Sequence, residues 1–241
     1  MGGRGGASGF PGGNFVTSIT AADGTVIDLS GAPLQYGGAD PNLPAAVRKS
    51  LEEFEDKRYK SKIEFSRFVD ASGNVIEDNR GSRRSVSASH NARVTAAAMS
   101  HNHPRSGNEQ GMLGGTFSRG DMRNFVKYNQ TTYRATASEG TYSISKLSNF
   151  DGQGFIKHYS AATTALENNY QAAVKPAKTA YNDVLSKYNA GKVTYSDAMA
   201  AYNKLLKVQA KEFNRFLVES HNALLAAQKQ YGYVYTLERR P

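Results

Sequence analysis

The run Ser100-His101-Asn102-His103-Pro104, followed by Ser118-Arg119-Gly120-Asp121, puts two imidazoles, a hydroxyl and a carboxylate in one short stretch of chain. These are the parts of a catalytic zinc site. Neutral imidazole nitrogen and carboxylate oxygen suit zinc, and three protein ligands leave a fourth position open for water, which separates a catalytic site from a structural one. The 241-residue chain has no Cys, so disulfides are excluded and the ion has to be held by nitrogen and oxygen. His90, His158 and His221 lack metal-ligand spacing; the last two fall in helical stretches and read as packing or surface residues.

The spacing dictates the elements that must carry these groups. Alternate residues of a strand share a face. A strand running from Val94 into His101 therefore aims His101 and His103 at one ion, while Asn102 points away. Pro104 cannot donate to a sheet ladder and marks the strand's end. A turn-rich loop follows through Arg105-Ser106-Gly107-Asn108 and Gly114-Gly115. Ser118 reads as a helix N-cap, with Asp121 three residues on, at the same edge of the first turn. A strand end and a helix start thus converge on a common point.

The pattern His-x-His-Pro, loop, Ser-x-x-Asp, with a glutamate upstream, resembles the JAMM motif of the JAB/MPN metallopeptidases. The form His-Asn-His-Pro is particularly similar to bacterial and phage members, including the RadC-like branch. The resemblance covers roughly Ser61 to Lys146, less than half the chain. It implies a JAMM-like mixed sheet flanked by helices, with His101, His103 and Asp121 as ligands of Zn2+. It implies that Ser118 helps to hold the developing oxyanion and that Glu64, in Lys62–Val69, is the general acid/base. The implied reaction is hydrolysis of a peptide or isopeptide bond, the substrate being a protein or peptide, including ubiquitin-like conjugates.

One departure from the family pattern is clear. Ser118 lies fifteen positions beyond His103, a longer loop than the family usually has, and its extra residues offer Glu109 as a rival to Asp121. A Gly-flanked loop is a poor place to fix a ligand, so Asp121 leads. Glu52, Glu53, Glu55 and Glu77 are rivals to Glu64. Arg119 and Arg123 beside the site either attract an acidic substrate or solvate the helix.

The rest of the chain divides into regions. Residues 1–44 form a Gly-rich, partly disordered leader with one hairpin-like stretch, Thr17–Leu29, turning at Asp23-Gly24. Residues 45–147 form the metal-binding core. Its predicted elements are a helix from Pro44 to Tyr59, strands near Lys62–Val69, Asn74–Glu77, Thr132–Ala137 and Thr141–Lys146, and a helix over Ser118–Asn129. Residues 148–230 carry apolar residues at three- and four-residue steps, interrupted at Asn189-Ala190-Gly191. They read as an antiparallel helical hairpin, kinked at Pro176, with Thr194 or Ser196 capping its second helix. Its stripe is its own packing seam, with a partner-binding or self-associating role left open. The alternating segment 231–241 reads as a strand returning to pair beside Thr141–Lys146. The expected architecture is thus α/β, with the hairpin as an insertion.

Composition excludes some classes. There is no apolar run long enough to span a membrane and no signal-peptide core, and residue 6 is Gly rather than the Ser or Thr of a myristoylation signal. A cytoplasmic location in a host cell, or association with a virion, is the expectation. The net charge of +9 points to an acidic partner or nucleic acid. Clusters at Arg80–Arg84 and Lys57–Lys60 come with no nucleic-acid motif, so a solvated basic face is the simpler account. Two further classes stay open beside the peptidase: a catalytically inactive JAMM-like binding protein of a phage or mobile element, and a RadC-like DNA-associated protein.

Overall fold

In the computed structural model, which describes residues 14–20, 24–104 and 112–239, four short strands open the chain. They are β1 (Asn14–Val16), β2 (Ser18–Thr20), β3 (Val26–Asp28) and β4 (Leu34–Tyr36). β2 and β3 pair antiparallel as the expected hairpin; Asp23 of its turn lies outside the described residues, as does the Gly-rich start. The described part of the leader belongs to the core. Ile27, Leu29, Leu34 and Tyr36 are buried in the main apolar cluster, and fully buried Asp40 accepts hydrogen bonds from the Ser143 and Ser145 hydroxyls.

Helix α1 (Ala45–Arg58) follows, burying Val47, Leu51 and Phe54 at the expected helical steps. Next come β5 (Phe65–Val69), β6 (Val75–Arg80), the short helix α2 (His90–Thr95), β7 (Ala98–Asn102), α3 (Arg119–Lys127), β8 (Thr132–Ala137) and β9 (Gly140–Lys146). The chain closes with the long helices α4 (Gly152–Asn189) and α5 (Tyr195–Tyr231) and the strand β10 (Tyr233–Glu238). One expectation is corrected: Val94 and Thr95 end α2 and do not begin the histidine-bearing strand. The Ser89 hydroxyl accepts from the Ala92 amide and buried Ala92 anchors the turn, so local capping overrides the strand preference of the β-branched pair.

Six strands form one mixed sheet in the order β10-β9-β8-β7-β5-β6. β7 and β8 are parallel and the other neighbours antiparallel. Parallel neighbours need a crossover, and the segment from His103 through α3 supplies it. β10 lies beside β9, Tyr233 opposite Lys146 and Glu238 opposite Thr141. The helical pair is therefore inserted between two adjacent strands of one sheet.

Both faces of the sheet are covered, so every residue of β7 is buried. On one face Ala98 packs with Val47, Leu51 and Val69 beneath α1. There Arg134, 1% exposed, is clasped by Glu55 and Glu238 at 2.7 and 2.9 Å. On the other face, Met122 and Phe125 of α3, Phe155 and Tyr159 of α4, and Val218 and Leu224 of α5 join Met99, Tyr133, Tyr142 and Ile144 in the main core. The ring pairs Tyr170–Phe213, Tyr181–Tyr202 and Tyr188–Tyr195 run in opposite order along α4 and α5, which makes the pair antiparallel. Helix α4 runs through Pro176, and Thr194 caps α5 in a reciprocal bond with Asp197. Among the described residues no helix is long and apolar enough to cross a membrane.

Candidate metal centre

His101 is the penultimate residue of β7, and His103 extends the pairing one step further, its amide donating to the Thr136 carbonyl at 2.8 Å. Strand alternation turns both rings toward α3, with centroids 4.9 Å apart. The third group comes from the start of α3. Ser118 caps the helix, its hydroxyl accepting from the Asp121 amide at 3.1 Å, and this brings the Asp121 carboxylate to the strand end.

The donor atoms converge. The two Nε2 atoms are 3.0 Å apart, Asp121 Oδ1 is 3.7 Å from His101 Nε2, and all three groups offer atoms within 4.8 Å of one another. Ligand atoms around tetrahedral zinc, with bonds of about 2.0–2.1 Å, are separated by about 3.3 Å. Two of the edges bracket that value.

Neighbours fix which atoms face the centre. His103 Nδ1 lies 2.8 Å from the Gly115 carbonyl, which only accepts, so Nδ1 carries the proton and Nε2 presents a lone pair. Asp121 Oδ2 accepts from the Ser118 hydroxyl at 2.7 Å and the Ser118 amide at 2.8 Å, leaving Oδ1 turned to the imidazoles. Among the described residues, buried His101 Nδ1 meets no partner in hydrogen-bond geometry, and the nearby Arg134 backbone favours the charged ring.

The electrostatics select the ligating forms. Burial pushes the His101 imidazole below its ordinary value, with Asp121 pulling the other way, and this favours the neutral ring at pH 7. Burial by itself raises the Asp121 carboxyl, but His101, His103 and the Ser118 donors outweigh it and hold the group below the usual carboxylate range. Neutral imidazole and ionised carboxylate are the forms that accept a divalent cation.

Glu64, expected inside a strand over Lys62–Val69, stands one residue before β5, and it lines the same cleft as the histidines. Partial burial raises its carboxyl above the ordinary value, His103 opposing and Asp121 reinforcing the shift. The rivals are elsewhere. Glu55 is bound to Arg134 beneath α1, Glu77 accepts from Ser89, Glu52 pairs with Arg48, and Glu53 is exposed. Glu109 lies outside the described residues.

Two supporting residues had no role assigned to them from the sequence. Asn102, expected only to point away, accepts from the Phe65 amide at 2.7 Å and donates to the Ile63 carbonyl at 3.0 Å, gripping the backbone on both sides of Glu64. Glu139, 3% exposed in the β8–β9 turn, accepts from the Gly114 and Gly115 amides at 3.0 and 2.6 Å and from the Tyr142 hydroxyl at 2.9 Å. It thereby holds the backbone of Gly115, the residue whose carbonyl orients His103. Gly115 has φ +81°, and a Cβ there would lie 2.5 Å from a Leu217 methyl, so only glycine fits.

The other singled-out residues resolve simply. Arg119 reaches Glu167 at 2.7 Å and Thr164 at 2.8 Å on α4, and Arg123 is exposed. His90 and His158 are exposed, whereas His221 is buried in α5. The ligand set, Glu64 and Ser118 line a cleft of about 300 Å³; a pocket of about 390 Å³ adjoins it and shares Glu64, His103 and Ser118. The chain matches no family model, no curated protein and no solved structure.

Proposed function

We propose that this chain is a zinc-dependent hydrolase of an amide bond, a metallopeptidase or isopeptidase of JAMM type encoded by a phage or mobile element. It would act in the host cytoplasm or in association with a virion, and its substrate is a protein or peptide, ubiquitin-like conjugates included. The convergence of His101 Nε2, His103 Nε2 and Asp121 Oδ1, with His103 oriented by the Gly115 carbonyl and Asp121 by Ser118, is the observation that carries the reading. Three ligands of this kind, with room beside them, fit a catalytic rather than a structural zinc.

Zinc, when bound, lowers the pKa of its water toward neutrality and polarises the carbonyl to be attacked. The chain's own groups supply the rest. Glu64, half-buried with its affinity for protons raised, accepts the attacking water's proton and returns it to the leaving amine. Asn102 holds the Glu64 backbone in register for that transfer. Ser118 orients Asp121, and because its hydroxyl hydrogen is directed at Oδ2, contact with a developing oxyanion requires that hydroxyl to rotate.

Metal analysis by mass spectrometry tests the reading. The purified protein should carry about one zinc per chain, and a His101→Ala/His103→Ala variant none. The loaded protein is then screened on peptides and ubiquitin-like conjugates, and His103→Ala should abolish any hydrolysis while leaving the fold intact. A protein that takes up no zinc when supplied with it, or a fully active His103→Ala variant, contradicts the proposal.

A further inference from the structure

The pocket beside the metal cleft has an unusual owner, the inserted helical pair. Its walls are Phe117, Tyr159, Phe213, Phe216 and Leu217, four of the five contributed by α4 and α5. Glu64, His103 and Ser118 form the partition between it and the cleft that holds the ligand set, so a group entering the pocket stays within reach of the metal ligands. At about 390 Å³ it falls in the size range of small-ligand sites.

Most polar groups contributed by the helices to its walls are already engaged. The Tyr159 hydroxyl donates to the Phe117 carbonyl, the Thr163 hydroxyl to the Tyr159 carbonyl, and the Ser220 hydroxyl to the Phe216 carbonyl. Glu167 is paired with Arg119. A hydrophilic side chain entering between the helices gives up water and meets hydrogen-bonding groups that are mostly committed, whereas an apolar one gains burial without that loss. Arg83, an exposed residue, also lines the pocket.

We infer that this pocket is the specificity subsite of the proposed hydrolase, taking a large apolar or aromatic side chain of an extended peptide beside the scissile amide. The inference rests on the zinc-hydrolase reading and adds a substrate class to it. It also assigns the inserted helices a task in recognition, with Phe216 and Phe213 as the residues that set the preference.

Hydroxamates of single amino acids test this without any turnover, because the hydroxamate anchors on zinc and leaves the side chain to choose its surroundings. Zinc-loaded protein is titrated calorimetrically with the glycine, L-phenylalanine and L-aspartate hydroxamates. The phenylalanine compound should bind at least about tenfold more tightly than the other two, and Phe216→Ala should bring it down to the glycine value. Phe213→Leu, which keeps an apolar side chain in the α5 seam, should narrow the preference in the same direction if the alanine variant does not fold. Equal affinities for the three probes, or a preference for aspartate, overturn the subsite while leaving the metal centre standing. Failure to load zinc at all removes the underlying reading instead.

Discussion

Asn102 and Glu139 act on different halves of the centre, and this separates their predicted effects. Asn102 bonds the peptides flanking Glu64 and touches no ligand atom through its side chain. Asn102→Ala should therefore keep its zinc yet lose about a hundredfold in turnover, because a displacement near 1 Å of a reacting group costs about that much. Metal analysis and initial rates on the same preparation check both halves of this expectation. Glu139 acts through Gly115 on His103. Glu139→Gln retains an acceptor but loses the charge, and should weaken zinc affinity about tenfold or more, as changes behind a ligand do. Competition with a chromogenic chelator measures it, and the cobalt-substituted protein should show an altered ligand-field spectrum; an unchanged affinity and spectrum would remove Glu139 from the centre.

At the scale of elements, β10 makes the inserted helices part of the metal-binding fold. It buries Tyr233, Tyr235 and Leu237, and Glu238 completes the clasp on Arg134. Removing residues 232–241 uncovers the β9 edge, strips away buried Tyr233, Tyr235 and Leu237, and takes from Arg134 its Glu238 partner while Glu55 stays bound. The truncated protein should lose its cooperative thermal transition in circular dichroism. An unchanged melting curve would mean that the sheet is complete without this strand. α3 shows the same dependence of function on an element boundary, since one capping residue both starts the helix and sets the Asp121 rotamer.

For the molecule as a whole, a buried histidine ties stability to pH. His221 Nε2 lies 2.9 Å from the Gln35 carbonyl, so it donates there, and Nδ1 accepts from the Tyr235 hydroxyl at 2.8 Å. The ring joins the leader, α5 and β10 in its neutral form. Burial lowers its pKa from the ordinary 6.5 to about 4, the Gln35 carbonyl partly opposing. Between those values the unfolded chain binds the extra proton, so stability present above pH 6.5 is lost as the pH falls toward 4, by roughly 3 kcal/mol. Comparing melting points of zinc-free parent and His221→Gln protein at pH 7.5 and 4.5 should show a smaller pH-dependence in the variant. An equal drop in both would place the acid sensitivity elsewhere.

Much of the architecture was legible because its determinants are local. The 3.6-residue spacing of Val47, Leu51 and Phe54, the Thr194 cap and the alternation in Tyr233–Glu238 involve neighbours a few positions apart, and they set α1, α5 and β10. The two-residue step from His101 to His103 and the Ser118-to-Asp121 step worked the same way, each putting its groups on one side of its own element. Even here local pattern failed once, at Val94-Thr95, where a serine cap outweighed β-branching. Only the tertiary structure decided which glutamate faces the cleft, which nitrogen of His103 is free, and what holds them. Asn102 meets Ile63 and Phe65, Glu139 meets Gly115 and Phe216 walls the pocket beside His103, all across long stretches of sequence. Hydrogen bonds and pocket walls form between groups that folding brings close, whereas periodicity and capping report only on residues that are already neighbours along the chain.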